Sequence, residues 1–148
     1  MNGKIERLYP TVFGLTSAVL YLLFLRSERL PEATKDLFNA AITVAAITVG
    51  FLVTAQSILL DRDDGTIAKQ LKAIGAWASL LAYFRSATWI AFLAAGFSAV
   101  LLFFLDPKNP AWWHPWIFAV WVFLVALAAG AGHRVIAIFF KLVHDKRA

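Results

Sequence analysis

The side chains that could carry acid–base chemistry lie outside the apolar stretches of this sequence. All nine acidic residues flank the apolar spans. Because proton-coupled transport usually needs an ionisable relay inside the membrane, their placement counts against a proton-driven transporter. No nucleophile–base set, glycine-rich phosphate loop or metal-ligand spacing occurs, and there is no cysteine. We therefore expect no catalytic residue, no metal and no cofactor, and predict a protein that is not an enzyme.

Three acidic residues form the motif DRDDG, which follows the second apolar span. The motif has neither the EF-hand spacing nor its final glutamate, which argues against calcium. One interpretation is a helix stop that also caps the next helix. The other is an acidic contact for a cytosolic partner, made by Asp61, Asp63 and Asp64.

The last apolar span continues into a basic segment, HRVIAIFFKLVHDK. Its two histidines, His133 and His144, are eleven residues apart, too far to share one metal ion. They share a helical face with Arg134 and Lys141, and this basic face is typical of a helix that lies against lipid headgroups. Docking of a partner protein on His133, Arg134 and Lys141 is the alternative.

Arg85 is the most notable single charge. It continues a helical face formed by Ile67, Leu71, Ile74, Ala78 and Leu81. One interpretation is an arginine that extends to the headgroups from the inner membrane boundary. The other is an arginine that faces the helix bundle and pairs with Asp61 or Asp63, or holds a lipid phosphate.

The second apolar span carries a row of small and polar residues. On a helical wheel they fall within about 80° of one another. Small residues let membrane helices approach closely, and hydroxyls can bond across the contact or back to their own helix. The row therefore predicts a helix-packing seam, within one chain or between copies. A lining for a narrow pore is the alternative, although an uncharged row does not predict charge-based ion selectivity. The row comprises Asn39, Thr43, Ala46, Gly50, Thr54 and Ser57.

The elements that must position these residues are membrane helices. The 148-residue chain is 61% hydrophobic and 16% charged, and its mean hydropathy is +0.72. Lipid must be the solvent for much of such a chain. Four spans are near the ~20 residues that cross a bilayer, and in lipid each must be a helix. We predict an all-α polytopic membrane protein of one domain, 1–148, with spans at about 8–25, 37–60, 88–105 and 112–132.

The basic residues predict the orientation of these helices. Placing both termini in the cytoplasm puts ten of the fourteen Lys and Arg residues inside. Trp112, Trp113 and Trp116 then lie at the outer interface, where aromatic residues are enriched. Helices three and four outrun the bilayer, which predicts cytoplasmic helical extensions at 66–87 and 133–146. The formal charge of +5 is thus explained by topology, and we expect no direct nucleic-acid binding.

Three features resemble a known group of proteins: YLLF at the end of helix one, a helix two rich in small residues, and IAKQLKAIGAW leading into a long helix three. They are similar to small four-helix inner-membrane subunits of phage-exclusion and anti-phage systems, over roughly residues 20–105. The lambda Rex membrane subunit is the nearest, and the Kiwa membrane subunit has a similar topology. The outer loop DPKNPAWWHPW has no counterpart in the Rex protein.

The resemblance implies a bacterial inner-membrane protein that works with a cytosolic, often DNA-binding, partner. The Rex subunit is regarded as an ion channel, and the Kiwa subunit as a sensor and anchor. We expect a non-enzymatic homo-oligomeric membrane subunit that senses envelope or phage perturbation, contacts membrane lipids and regulates a cytosolic effector. A small pore that depolarises the membrane is the first alternative, and a small transporter is the second.

Overall fold

A computed structural model describes residues 3–25, 33–61, 69, 72–73, 75, 77–105 and 111–144, with side chains described between residues 8 and 138 except 25 and 61. Within these ranges the chain is almost entirely helical and contains no β-strand. The predicted all-helical class is confirmed. The helices are α1 (Gly3–Leu20), which continues in a π-helical turn (Tyr21–Leu25), α2 (Thr34–Asp61), α3 (Trp77–Phe104) and α4 (His114–His144).

Three of these helices are long and apolar enough to cross a membrane. They contain the candidate spans Thr34–Leu60, Trp77–Phe104 and His114–Ile138. The first helix contributes a shorter apolar stretch, Leu8–Phe24. The apolar part of α3 begins earlier than the predicted span at 88–105, because Arg85 is the only charged residue between Trp77 and Phe104.

The predicted helical extension at 66–87 is interrupted at Gly75. This residue has a φ of +67°, a left-handed conformation that glycine adopts without steric cost. Its N–H donates to the Lys72 carbonyl at 3.1 Å, and α3 starts two residues later. The Lys72 ammonium lies 5.8 Å from the centre of the Trp77 ring, a cation–π contact across the break. The fourth helix continues through His144.

The packing order differs from the order of the chain. Short connections predict that successive helices lie side by side. The pairs α2–α3 and α3–α4 do so, but α1 packs against α4 instead of α2. The spatial order is therefore α1, α4, α3, α2. The two central helices are α3 and α4, and α2 is a peripheral helix.

The contact between α1 and α4 is close because glycines lie on it. A Cβ added at Gly14 would lie 3.0 Å from the Phe123 ring, and one at Gly130 would lie 3.1 Å from the Cα of Pro10. Both glycines are buried. Any larger residue would push the two backbones apart, so these positions set the distance between α1 and α4.

An aromatic cluster joins α2 and α4 near the end of the bundle that carries the tryptophans. Phe38 is fully buried, and its ring is edge-on to that of Trp121, with centroids 5.0 Å apart. Phe118 stacks obliquely on Tyr21 at 5.0 Å. Such offset and edge-on ring pairs are the favourable geometries. They fix this end of α2 against the central helices.

One buried polar contact joins the two central helices. The Trp121 Nε1–H donates to Ser98 Oγ at 2.8 Å, and the Ser98 hydroxyl donates to the Ala94 carbonyl at 2.7 Å. Ser98 is fully buried. Since each hydrogen has an acceptor, the pair is satisfied in an apolar setting and fixes the register of α3 on α4.

Candidate functional site

The polar row on helix two lies on the outside of the protomer. Every one of its residues is exposed, on the side of α2 that faces away from α3. The row extends for about 27 Å along the helix at 1.5 Å per residue, close to the thickness of a bilayer core. We call it the α2 outer face, and it consists of Asn39, Thr43, Ala46, Gly50, Thr54 and Ser57.

The opposite side of α2 makes the contact within the chain. Phe38, Ala45 and Leu52 are buried at seven-residue spacing, while Ala41, Thr48 and Ala55 beside them are half-buried. Leu52 packs in one cluster with Leu80 and Phe84 of α3. Packing of the polar row within one chain, one of the two alternatives, is therefore wrong. The larger apolar side chains take the intramolecular contact, because they bury more surface. Contact between copies stays a prediction.

Four hydroxyls of α2 bond to their own helix. Thr43, Thr54 and Ser57 donate to the carbonyls of Asn39, Gly50 and Val53 at 2.8 to 2.9 Å. Thr48 donates to Val44 in the same way. Each of these four hydroxyl hydrogens is thereby satisfied without water or a second helix, which lowers the cost of exposing the group to apolar surroundings. The side chains therefore present small, uncharged surfaces on which the hydroxyl oxygens can still accept hydrogen bonds.

Gly50 leaves an open notch in the middle of the α2 outer face. A Cβ added at Gly50 would meet nothing within 4 Å. The protomer therefore does not need glycine at this position for its own packing. A close approach by another helix is the structural use that the notch allows.

A groove of about 510 Å³ runs between α2 and α4, and the α2 residues that line it, among them Ala41, Val44 and Thr48, are not those of the α2 outer face. Its floor is formed by Ala91 and Ala94 of α3, and Gly132 and Ala128 line its α4 wall. These small side chains leave α2 separated from α4 along much of its length. The groove explains why α2 is held chiefly by α3.

Arg85 does not face the bundle. Its side chain is exposed on α3, whereas Phe84 and Ala87 are buried. The bundle-facing interpretation is therefore wrong. Within α3 the buried side is formed by Leu80, Phe84 and Ala87, whereas Ala78 and Arg85 of the predicted face are exposed. The side chains of Asp61 and Asp63, its predicted partners, lie outside the described residues.

Arg134 occupies a more enclosed position than the sequence indicated. It is half-buried, and its guanidinium lies 4.2 Å from the centre of the Tyr83 ring. One Nη atom donates to Ser86 Oγ at 3.3 Å. The adjacent His133 is exposed, with its ring 6.2 Å from that of Tyr9. The two residues thus do not form one uniform basic face.

Sequence reasoning missed the association of Arg134 with Tyr83 and Ser86. Gly130 and Ala131, about one turn before Arg134, indicate that this side of α4 is closely packed. That signal could have placed Arg134 against another helix. The side chains of the other predicted partner contacts lie outside the described part of the chain; these residues are Asp61, Asp63, Asp64 and Lys141.

Among the described residues, no three His, Asp or Glu side chains come together as a metal site would require. Comparison with protein-family models, characterised proteins and solved structures gives no match for this chain.

Proposed function

We propose that this chain is a non-enzymatic subunit of a bacterial inner membrane that assembles into a homo-oligomer through the α2 outer face. In this proposal four helices cross the bilayer with both termini in the cytoplasm. The subunit anchors or regulates a cytosolic effector in anti-phage defence. The uneven distribution of Lys and Arg supports the orientation, and the resemblance to phage-exclusion membrane subunits supports the role.

The observation that carries the proposal is the exposure of the entire α2 outer face. A bilayer-length row of small residues and self-bonded hydroxyls offers a second helix close approach and weak polar contacts, which are the forces that join helices in lipid. The intramolecular contacts of α2 use its other side. The α2 outer face is therefore available to a second copy without any rearrangement of the protomer.

Disulfide cross-linking tests the assembly, and the absence of native cysteine makes it straightforward. Ala46→Cys and Gly50→Cys should form covalent dimers in native membranes under mild oxidation. Leu93→Cys is the matched control. Leu93 is 57% exposed on α3, and its neighbour Ala94 lines the same groove as Ala45, so its depth resembles that of Ala46. Equal cross-linking at all three positions would contradict a specific interface.

The effector role needs a separate test. Pull-down of the tagged subunit from its own host should recover a cytosolic protein. Replacing Asp61, Asp63 and Asp64 with asparagine should release that protein if the acidic motif is the contact. The same host should lose resistance to phage when the subunit gene is deleted. Unchanged plaque counts after deletion would contradict the defensive role.

A small pore is the second candidate function, because the α2 outer face extends through the bilayer thickness and carries hydroxyl and glycine positions throughout. Several copies could place these faces around an axis. Planar-bilayer recording distinguishes the two functions. A conductance that changes with Thr54→Val, which removes the hydroxyl but keeps the shape, would favour the pore. Cross-linked but electrically silent protein would favour the anchoring subunit.

A further inference from the structure

A second groove, of about 600 Å³, opens between α1 and α3 over α4. The polar residues in its lining are Thr11, Ser79, Tyr83, Ser86 and Arg134. Farther along α3 and α4, the lining residues are the apolar Ile90 and Leu127. The groove therefore has a cationic, hydroxyl-rich end and an apolar end, which matches an amphiphile with an anionic head.

Arg134 is held in a fixed orientation at the polar end. The Ser86 hydroxyl donates its hydrogen to the Tyr83 carbonyl at 3.0 Å, so its oxygen can accept the N–H of Arg134 at 3.3 Å. The Tyr83 ring, 4.2 Å from the guanidinium carbon, supports the group from one side. A guanidinium carries five N–H donors, and Ser86 takes one of them. Guanidinium N–H groups form strong charge-assisted hydrogen bonds with phosphate oxygens.

The depth of the groove also matches a phospholipid. Arg134 lies about 30 Å along α4 from His114, and Ser86 lies about 28 Å along α3 from Leu105. The hydrocarbon core of a bilayer is about 30 Å thick. If one end of the bundle is at the outer interface, the polar end of this groove is at the inner phosphate layer, and Ile90 and Leu127 lie among the acyl chains.

We propose that this groove binds an anionic phospholipid, with the lipid phosphate on Arg134 and an acyl chain along Ile90 and Leu127. The hydroxyls of Thr11 and Ser79 supply neutral donors at its rim. The proposal rests on the membrane insertion proposed above. A soluble phosphate has the same oxygens, but it has nothing to place in the apolar end.

Native mass spectrometry of the whole chain in detergent tests the proposal. Phosphatidylglycerol is the probe, zwitterionic phosphatidylcholine is the lipid control, and inorganic phosphate represents the soluble source. We expect retained phosphatidylglycerol on the wild-type chain and about tenfold weaker binding with Arg134→Gln, as expected for loss of a charge-assisted contact. Arg85→Gln is the matched control, because it removes the same charge from an exposed α3 position outside the groove.

A second variant keeps the test decisive if Arg134→Gln does not fold. Ala82 is exposed and lines the groove, so Ala82→Phe should fill it and lower phosphatidylglycerol retention while Arg134 remains in place. Equal retention by the wild type, Arg134→Gln and Ala82→Phe would overturn the proposal. Displacement of phosphatidylglycerol by millimolar inorganic phosphate would overturn the proposal that the ligand is a lipid, because it would show that the groove binds a soluble phosphate. Failure of the chain to insert into vesicles would overturn both proposals, whereas insertion without selective retention would overturn the groove alone.

Discussion

The α1–α4 contact and the α2 outer face both contain glycine, but they differ in what the glycine meets. At Gly14 and Gly130 an added Cβ would lie 3.0 to 3.1 Å from another helix, whereas at Gly50 it would meet nothing within 4 Å. Gly14 and Gly130 are buried, whereas Gly50 is exposed. A small residue in an apolar helix thus permits close approach, but only its neighbours in space determine whether the approach occurs within one chain.

The largest effect should come from Gly130→Leu. The nearest atom to its new Cβ is a backbone atom of Pro10, which cannot rotate away as a side chain can. We expect a loss of about 3 kcal/mol in the free energy of unfolding, as in severe overpacking, measured by denaturant titration in detergent. Unchanged stability would show that α1 and α4 do not approach this closely.

Phe38→Ala tests the two sides of α2. Phe38 is fully buried between aromatic rings, so its truncation should leave a cavity. Such a change costs about 3 to 5 kcal/mol in a soluble core; we expect about 2 kcal/mol here, because an apolar solvent such as lipid or detergent removes the transfer part of the cost. Val44→Ala is the control, since Val44 is 64% exposed and its truncation should cost little. The same titration measures both variants. Equal losses at the two positions would contradict the assignment of the packing side.

Ser98→Ala compares a hydroxyl shared between helices with one that serves its own helix alone. Trp121 would lose its acceptor, so we expect a loss of about 1 kcal/mol, within the range for hydrogen bonds between membrane helices. A shift in Trp fluorescence should accompany it. Thr54→Val should leave protomer stability nearly unchanged, because in the described part of the chain the Thr54 hydroxyl donates to the Gly50 carbonyl of its own helix. A larger loss of stability from Thr54→Val than from Ser98→Ala would contradict this expectation.

Gly50→Leu should not destabilise the protomer. Replacing a helical glycine gains up to about 1 kcal/mol in helix propensity, and no clash opposes it in the single chain. The same propensity gain applies to Gly130→Leu, so the difference between the two variants isolates the contact. In an Ala46→Cys background, Gly50→Leu should nevertheless abolish cross-linking, assayed on non-reducing gels. Persistent cross-linking would place the contact between copies elsewhere.

Much of the helical architecture could be predicted from the sequence. The apolar runs predicted helices, because a backbone in lipid must satisfy its own hydrogen bonds, and α2, α3 and α4 appear where long apolar runs were found. The start of α3 was placed too early, since the periodicity of residues 67–85 does not reveal the left-handed conformation of Gly75. Arg85 was assigned to the wrong side for a different reason: Ala78, Leu81 and Arg85 have helical spacing, but Leu80, Phe84 and Ala87 form the buried side of α3.

The candidate site was predictable only in part. The residues of the α2 outer face were recognised as one row by their spacing, but spacing does not state what a face touches. Phe38 and Leu52 compete with the small residues for the contact with α3, and the larger buried surface prevails. Arg134 was recognised as basic, but its contacts with Tyr83 and Ser86 join residues 48 or more positions apart, which no local pattern contains.

The sequence by itself determined the all-helical class, the apolar runs and the spacing of small residues, because these depend on local hydrogen bonding and hydropathy. Tertiary structure alone decided that α1 packs on α4, that α2 is peripheral with its polar row outward, and that Arg134 lies in a groove. The physical reason is that helix packing depends on shape complementarity between distant segments. A single helix carries only one half of each such contact.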